Sequence, residues 1–532
     1  MSTSPPANLW DAFSRTVRAH GPRTAFISGG SCVTFEQWMA RAQDYAMWFA
    51  GAASGGASGG GGERALVIMR NSPEMAAAMC GIWGAGGIPA LLHADSPPSH
   101  VAHAIELINP RCVFVDDGSL VRLPDIRAAT PSDIARVRDG AARPIDNSPA
   151  RLGDPASIVF TSGSTGPPKG VIQSHGNLLR GCRAVNGYLG LDHGDSIVCP
   201  IPWSFDYGFG LLLTTMIMGA RQILPDSSHP AALCEAIARH RPTMLPGVPS
   251  LFAYLFTGLS PVRETDLSSL RIVSSTGGAI APSVFDGMLD AFGHCRIFLN
   301  YGLTESYRTS ALDPALVRAH PTSVGRAIPG VSIAIVREDR SEAAPGEEGE
   351  IVHRGDFIFL SYYGDPAATS RVRRPDPRAA PAPTPTPGTG AAPPALFTGD
   401  YGRIDADGLL FIHGRRDRQL KSMGVRISPE EIERLLQQSG LVQDAAVFGQ
   451  KHDMLGDEVC AAVVPAPGAT DIASALARFA RATMSPAMVP RRWLIRAALP
   501  RTSTGKTDYP ALRGEAARRP AVSSSPEAPA PL

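Results

Sequence analysis

This 532-residue chain has no CxxC pair, no surplus of either charge and no apolar run long and pure enough to span a bilayer. The eight cysteines, Cys32, Cys80, Cys112, Cys182, Cys199, Cys234, Cys295 and Cys460, stand singly among mostly apolar neighbours. A disulfide framework or a zinc site is therefore not expected, and the thiols read as the reduced, buried cysteines of a cytosolic protein. Fifty basic residues against 49 acidic ones leave a formal charge of +1. Such a balance gives no electrostatic basis for binding nucleic acid or an acidic membrane surface, whereas a small anionic ligand needs only a local patch. The N-terminal MSTSPPANLW lacks a basic stretch followed by an apolar one, so the chain is expected to be cytoplasmic, without membrane attachment.

What is present begins with size: 532 residues, 44% of them hydrophobic, exceed what one core organises, so two or more domains are expected. Low-complexity pieces at Gly51 to Gly62, Arg374 to Pro394 and from about Gly514 to Leu532 cannot bury enough apolar surface to offset ordering entropy. The first two read as surface loops and the last, 514–532, as a disordered tail. Apolar runs alternate with amphipathic segments over Ala65 to Met69, Pro73 to Trp83, Ile88 to Leu92, His100 to Leu107 and Cys112 to Val115. That order predicts parallel strands covered by helices, an α/β class. Near residue 417 the pattern becomes compact α+β. Ser428-Pro429-Glu430-Glu431 has the form of a capping box with proline at the first helical position, and Asp471 is expected to open a second helix. The expected division is a large domain of helix-covered sheets over 1–416, a boundary at Arg416 to Arg418, and a small domain over 418–513.

The segment Thr161-Ser162-Gly163-Ser164-Thr165-Gly166, ending in Pro167-Pro168-Lys169-Gly170, follows the apolar run Ile158-Val159-Phe160. It reads as a strand feeding a phosphate-holding loop. Glycines let backbone N–H groups turn toward an anion, Ser and Thr add donors, and Lys169 adds a point charge. The order is not that of the Walker loop, because Lys169 is followed by glycine. A flexible surface turn would tolerate almost any Gly/Ser mixture and would not need the Pro-Pro-Lys ending.

Four further segments complete a constellation: Asn300-Tyr301-Gly302-Leu303-Thr304-Glu305, Thr398-Gly399-Asp400, Gly414-Arg415-Arg416-Asp417 and Ser503-Thr504-Gly505-Lys506. With the Thr161 loop they stand in the order and approximate spacing of the AMP-forming adenylate enzymes, and the resemblance covers roughly residues 8 to 513. That superfamily includes acyl-CoA synthetases, adenylation domains of nonribosomal peptide synthetases and luciferases. The resemblance implies an ATP- and Mg²⁺-dependent ligase that converts a carboxylic acid to an acyl-adenylate with release of pyrophosphate. Two anions meet in that step, so prearranged cations and donors are needed where charge builds.

By the same resemblance, the Thr161 loop holds the β- and γ-phosphates, Tyr301 stacks on adenine, Thr304 meets the α-phosphate and Glu305 helps hold Mg²⁺. Thr276-Gly277-Gly278-Ala279 resembles the backbone strip beside adenine. Asp400 corresponds to the aspartate that accepts from the ribose hydroxyls, Arg415 assists it, and Asp417 falls on the hinge. Lys506 matches the lysine of the closing domain that serves adenylation, and Lys421-Ser422-Met423-Gly424 resembles the face that the domain presents for thioester formation.

Ile201-Pro202-Trp203-Ser204-Phe205-Asp206-Tyr207-Gly208 lies where the superfamily begins its acid pocket, with Gly247 and Ser275 expected to line it. Asp206 either binds a substrate ammonium, as in amino-acid-activating domains, or caps a local helix. The remaining chain has no room for a fused carrier domain, so the acceptor thiol is expected from CoA or from a separate carrier protein carrying phosphopantetheine. Two other readings stay open: adenylation ending in oxidation or amide formation, and a noncatalytic nucleotide-binding relative. Joint retention of Lys169, Glu305, Asp400 and Lys506 weighs against the last.

Overall fold

The computed structural model describes residues 4–51, 62–119, 126–136, 145, 148–161, 168–257, 260–376, 393–415, 418, 420–422, 425–452, 456–468, 471–502 and 506–518. They form two compact units. The first comprises Met1–Ile280, Asp286–Thr398 and Ile404–Phe411, and the second Ala281–Phe285, Gly399–Arg403 and Ile412–Leu532.

The expected alternation of strands and helices is found in the first unit as Arg64–Ile68, Pro73–Gly84, Ile88–Leu91, Pro98–Ile108 and Cys112–Val115. The three strands pair in parallel, and each is buried along nearly its whole length, which is why they read as continuous apolar runs rather than alternating ones. They belong to a seven-stranded sheet with Ser361–Tyr362 at one edge, followed by Lys169–Ser174 and Pro155–Thr161. A nine-stranded sheet runs Arg326–Ala327, Ser310–Ala311, Arg296–Tyr301, Ile272–Ser275, Met244–Gly247, Ser196–Val198, Arg221–Leu224, Thr24–Ser28, Ser31–Thr34. Its six strands from Arg296–Tyr301 to Thr24–Ser28 are parallel.

One core joins residues of both sheets, such as Phe26, Ile197, Val67 and Leu91, to the helices that carry Phe13, Trp38, Met79, Leu178 and Leu212. Trp38 is clamped between Phe13 at 4.4 Å and Phe26 at 4.7 Å. The helix Pro73–Gly84 is buried on all sides, so its sequence shows no polar stripe. Ser72 caps it by accepting from the Met75 N–H, with proline at the first turn. Among the described residues, no helix is long and apolar enough to cross a membrane.

A third sheet orders Val331–Val336, Gly349–Gly355, Pro394–Ile404 and Arg373–Pro375, with Leu410–Arg415 pairing with Pro394–Ile404. Here the structure corrects the expectation of a loop from Arg374 to Pro394. Both ends of that segment are zipped into the sheet, with Arg374 opposite Ala395 and Pro375 opposite Pro394. The Arg374 guanidinium lies 4.3 Å from the Phe397 ring centroid, a contact that composition does not show. Residues 377–392 lie outside the described residues, as do 52–61.

The second unit holds a five-stranded sheet in which Val442–His452 and Gly456–Pro465 pair antiparallel and Arg492–Ile495 adds in parallel. Helices Pro429–Gln438, Ile472–Thr483 and Tyr509–Arg518 accompany it. The capping box at Ser428 is half formed. Its hydroxyl receives the Glu431 N–H at 3.4 Å and donates to the His413 carbonyl at 2.6 Å. Asp471 precedes its helix in the left-handed region, φ 46°, without a side-chain cap; its carboxylate instead accepts from the Ser474 hydroxyl at 2.9 Å. The last helix runs past the expected end at 513, because Leu512 and Ala516 join a buried cluster with Phe448 and Leu494. Of the expected tail, 519–532 lie outside the described residues.

The cysteines are free, and six of them are buried. Burial pushes the Cys112, Cys182, Cys199 and Cys460 thiols up to about 12. Cys32 is exposed, against the expectation, because its strand Ser31–Thr34 is the edge of its sheet.

Candidate active site

Four neighbouring parallel strands end at Val198, Gly247, Ser275 and Tyr301. The chain leaving each of them carries a sequence-predicted segment: Ile201 to Gly208, Gly247 to Pro249, Ser275 to Ala279, and Tyr301 to Glu305. Convergence of such segments beyond the carboxyl ends of a parallel sheet is the usual place for a ligand in an α/β fold. Gly247 and Ser275 are opposite one another in register.

Asn300 ties two of these strand ends together. Its Nδ2 donates to Ser274 Oγ and to the Ser275 carbonyl, both at 3.0 Å, and its Oδ1 accepts from the Tyr188 hydroxyl at 2.7 Å. The Thr276 hydroxyl donates to the Asn300 carbonyl at 3.2 Å. Gly277 follows with φ +93°, a conformation that side chains rarely adopt, so the strip Gly277-Gly278-Ala279 turns away with its backbone bare. Tyr301 is buried, 7% exposed.

The Thr161 loop joins two strands of the other sheet. Pro155–Thr161 and Lys169–Ser174 pair antiparallel, with Thr161 opposite Lys169. The loop residues Ser162, Gly163, Ser164, Thr165 and Gly166 lie outside the described residues. The hairpin that bears them reaches the Tyr301–Glu305 segment through two contacts. Gln173 Nε2 donates to the Thr304 carbonyl at 2.8 Å. Lys169 Nζ stands 5.0 Å from the centroid of the Tyr362 ring, whose hydroxyl donates to Glu305 Oε1 at 2.6 Å. The Phe359 N–H also donates to the Glu305 carbonyl at 2.8 Å. A cation and a carboxylate are thus held on two sides of one phenol.

This donor set fits a magnesium–phosphate group. Mg²⁺ is bound through one or two carboxylates, waters and substrate phosphates rather than by a protein cage. Accordingly, the absence of any cluster of three or more metal-binding side chains among the described residues raises no objection to Glu305.

Beyond Glu305 the chain folds back. Leu303 N donates to Ser306 Oγ at 3.1 Å, Ser306 Oγ meets Thr309 Oγ1 at 3.0 Å, and Thr309 Oγ1 meets His353 Nδ1 at 3.0 Å. His353 Nε2 lies 2.7 Å from the Asp356 carbonyl, which can only accept, so the ring proton sits on Nε2 and Nδ1 accepts from Thr309. Burial depresses the His353 pKa to about 4 from 6.5. A depressed histidine contributes stability that is complete above its unfolded pKa and is lost as pH falls through the folded value, here from about 6.5 toward about 4. At about 1.4 kcal/mol per unit the loss approaches roughly 3 kcal/mol. Urea denaturation at pH 7.5 and pH 4.5 checks this: the difference in stability is expected to shrink by that order in His353→Gln. An undiminished difference would remove His353 from the account.

In the acid-pocket segment, Phe205 stacks on His93 with centroids 5.4 Å apart and planes at 1°. It precedes the helix Asp206–Met218, so Asp206 is the first helical residue, where a negative charge suits the helix dipole. Gly208 is required there, since a Cβ would overlap the Pro202 carbonyl oxygen. Tyr207 Oη reaches Ser274 Oγ at 3.1 Å. A separate surface cavity of about 710 Å³, lined by Val262, Asp266, Asp290 and His294 among others, shares no residue with these segments.

In the second unit, Asp400 is buried, and Arg415 Nε lies 3.7 Å from its Oδ1. Asp417 lies outside the described residues. Arg418, beside it, is fixed by Glu430 at 2.7 Å and Glu433 at 2.9 Å, and its guanidinium lies 4.1 Å from the Tyr509 ring. Lys506 is exposed on a small hairpin in which the Thr502 N–H donates to the Lys506 carbonyl and Arg501 pairs with Thr507. Ser503 to Gly505 are outside the described residues.

Tyr362 and Gln173 carry no signal in the sequence. Tyr362 stands 57 positions from Glu305 in no recognisable pattern, whereas Arg418 could have been picked out as a basic residue directly after Asp417, the residue expected at a hinge.

The chain matches the AMP-binding enzyme family over residues 13–363 and the AMP-binding enzyme C-terminal domain over residues 431–506. It is 28% identical over 357 residues to the long-chain-fatty-acid–CoA ligase of Bacillus subtilis (strain 168), covering 66% of this chain and 60% of that protein. It is 27% identical over 518 residues to the delta-poly-L-ornithine synthetase of Acinetobacter baumannii (strain AB307-0294), covering 95% of this chain and 36% of that protein. The chain therefore spans less than two thirds of the length of either relative. Its fold superposes on the crystal structure of ATP-bound MatB from Rhodopseudomonas palustris with a TM-score of 0.82 at 23% identity, over 96% of this chain and 99% of that one. A family match that takes in more than half of the 532 residues, on a fold shared with an ATP-bound structure, places this chain among the AMP-binding, adenylate-forming ligases.

Proposed function

We propose that the chain activates a carboxylic acid as its acyl-adenylate and passes the acyl group to the pantetheine thiol of CoA. The observation that carries this is the Lys169–Tyr362–Glu305 cluster, set where the acid-pocket segment and the Gly277-Gly278 strip also leave their strands. In the first half-reaction a carboxylate oxygen attacks the α-phosphorus of ATP and pyrophosphate leaves. Lys169 and the donors of the Thr161 loop stabilise the departing phosphates, Glu305 would hold Mg²⁺, and Thr304 stands at the α-phosphate. Magnesium, when bound, would supply positive charge to the phosphates. Asp400 with Arg415 holds the ribose, Tyr301 and the glycine strip flank adenine, and Lys506 meets the developing charge. In the second half-reaction the thiol sulfur bonds to the acyl carbon, AMP leaves with the electron pair, and the thiol proton passes to solvent. Asp417 is the hinge between the two, with Lys421 to Gly424 on the face used second.

The Bacillus relative is a CoA ligase, which supports CoA as acceptor. A second reading, an amino acid loaded onto a separate carrier protein, draws on Asp206 beside Phe205 and on the ornithine-polymer synthetase.

Exchange of labelled pyrophosphate into ATP is the test, run with Mg²⁺ and a panel of fatty, aromatic, hydroxy and amino acids, with mass spectrometry of the adenylate. Exchange with at least one acid, followed by thioester formation on adding CoA, is expected. Exchange with no acid would sink the proposal, and exchange confined to α-amino acids would favour the second reading.

A further inference from the structure

Arg308 stands three residues after Glu305 and is 5% exposed. Its guanidinium lies over the Tyr207 ring, 5.3 Å from the centroid, and its Nε and Nη1 are buried without a hydrogen-bond partner. Tyr207 is in the first turn of the helix that opens the acid pocket, and its hydroxyl is engaged with Ser274. The surrounding phenols supply no counter-charge, since burial raises the Tyr188, Tyr207 and Tyr307 pKa values and keeps them neutral. Asp206 is close enough for its charge to act on Tyr307, and it has a partner of its own.

A guanidinium cannot shed its proton to escape burial. Left dry and unpaired it is a large cost, so buried charges are found paired or coordinated. Among the described residues two Arg308 donors have no hydrogen-bond partner, and the Tyr207 ring gives the guanidinium a flat aromatic support. A carboxylate would supply the missing counter-charge together with acceptor oxygens.

We propose that Arg308 is a specificity-determining residue that receives a second carboxylate of the substrate, so that the acid activated here is a dicarboxylic acid or carries an equivalent distal anion. The assignment rests on the adenylation reading above. It leaves the reacting carboxylate to the ATP side of the pocket and the distal one to Arg308 and Tyr207.

The test compares matched pairs in pyrophosphate exchange: glutarate against pentanoate, adipate against hexanoate, and terephthalate against 4-methylbenzoate. In the wild type the dicarboxylate of at least one pair is expected to lead in kcat/KM by on the order of 10²-fold or more, the scale on which a site built for a polar group rejects its absence. Arg308→Met should collapse that ratio toward unity, and Arg308→Lys, keeping the charge but not the planar guanidinium, should restore part of it. Because a variant can fail to fold, the wild type alone is also titrated with acyl-sulfamoyl adenosines bearing or lacking the distal carboxylate; the carboxylated analogue is expected to bind more tightly by a similar factor. Monoacids equal to or better than diacids in the wild type would overturn the assignment while leaving adenylation intact. So would an Arg308→Met variant whose ATP KM rises with the ratio unchanged, which would make the residue a phosphate ligand. Exchange with no acid of either kind would bring down the adenylation reading, and this assignment with it.

Discussion

Lys506→Ala is expected to lower pyrophosphate exchange by on the order of 10²–10³-fold, the usual size of losing one prearranged charge at a reacting centre, while ATP binding stays measurable. Two anions approach during adenylation, and only groups that stabilise the charge then developing lower the barrier. The side chain is exposed and the hairpin is held by backbone and Arg501–Thr507 contacts, so truncation to alanine should change stability by no more than about 0.5 kcal/mol. Exchange and an ATP-dependent thermal shift, measured side by side, separate chemistry from binding. An alanine variant that exchanges pyrophosphate at the wild-type rate would mean that another group serves the step.

The second large effect belongs to Glu305. Glutamine in its place retains an oxygen able to accept from Tyr362 but removes the negative charge, so Glu305→Gln isolates metal binding from the geometry of the loop. A fall in kcat of about 10²-fold is expected, with the Mg²⁺ concentration for half-maximal exchange shifted upward. Tyr362→Phe, which keeps the charge and deletes the 2.6 Å hydrogen bond that orients it, should cost less, roughly tenfold, as one charge-assisted hydrogen bond would. Titration of both variants with MgCl2 decides the matter. Unchanged metal dependence in Glu305→Gln would take magnesium away from this residue.

The local grammar of the chain was readable where one short stretch determines its own structure. The run from Ala65 to Val115 alternates as written because a buried parallel strand needs only apolar residues and a covering helix needs only its caps. Ser428-Pro429 opens a helix on the same local logic. Motifs such as Tyr301 to Glu305 could be picked out by their likeness, in order and spacing, to those of a known superfamily. What escaped was set by distant parts of the chain. Tyr362 is aimed at Glu305 by an edge strand, Gln173 holds Thr304 from another sheet, and Arg374 is drawn into a strand pair by Phe397 although its neighbourhood is low in complexity. Asp471 shows the converse: a residue type that caps helices sits at the right place, but its backbone is left-handed and its carboxylate turns to Ser474. Arg308 carries no signal at all, since no sequence pattern shows that a cation is buried without an ion pair.

The strand Ser361–Tyr362 pairs with Val171 and Ile172 at the rim of the seven-stranded sheet, and its tyrosine arrives in the chain long after the lysine and the glutamate that it joins. A ribosome that has released only the first 350 or so residues therefore carries both charged groups without the phenol between them. The orienting of that carboxylate by its phenol is thus a late event in synthesis, completed only after both charged groups have left the ribosome.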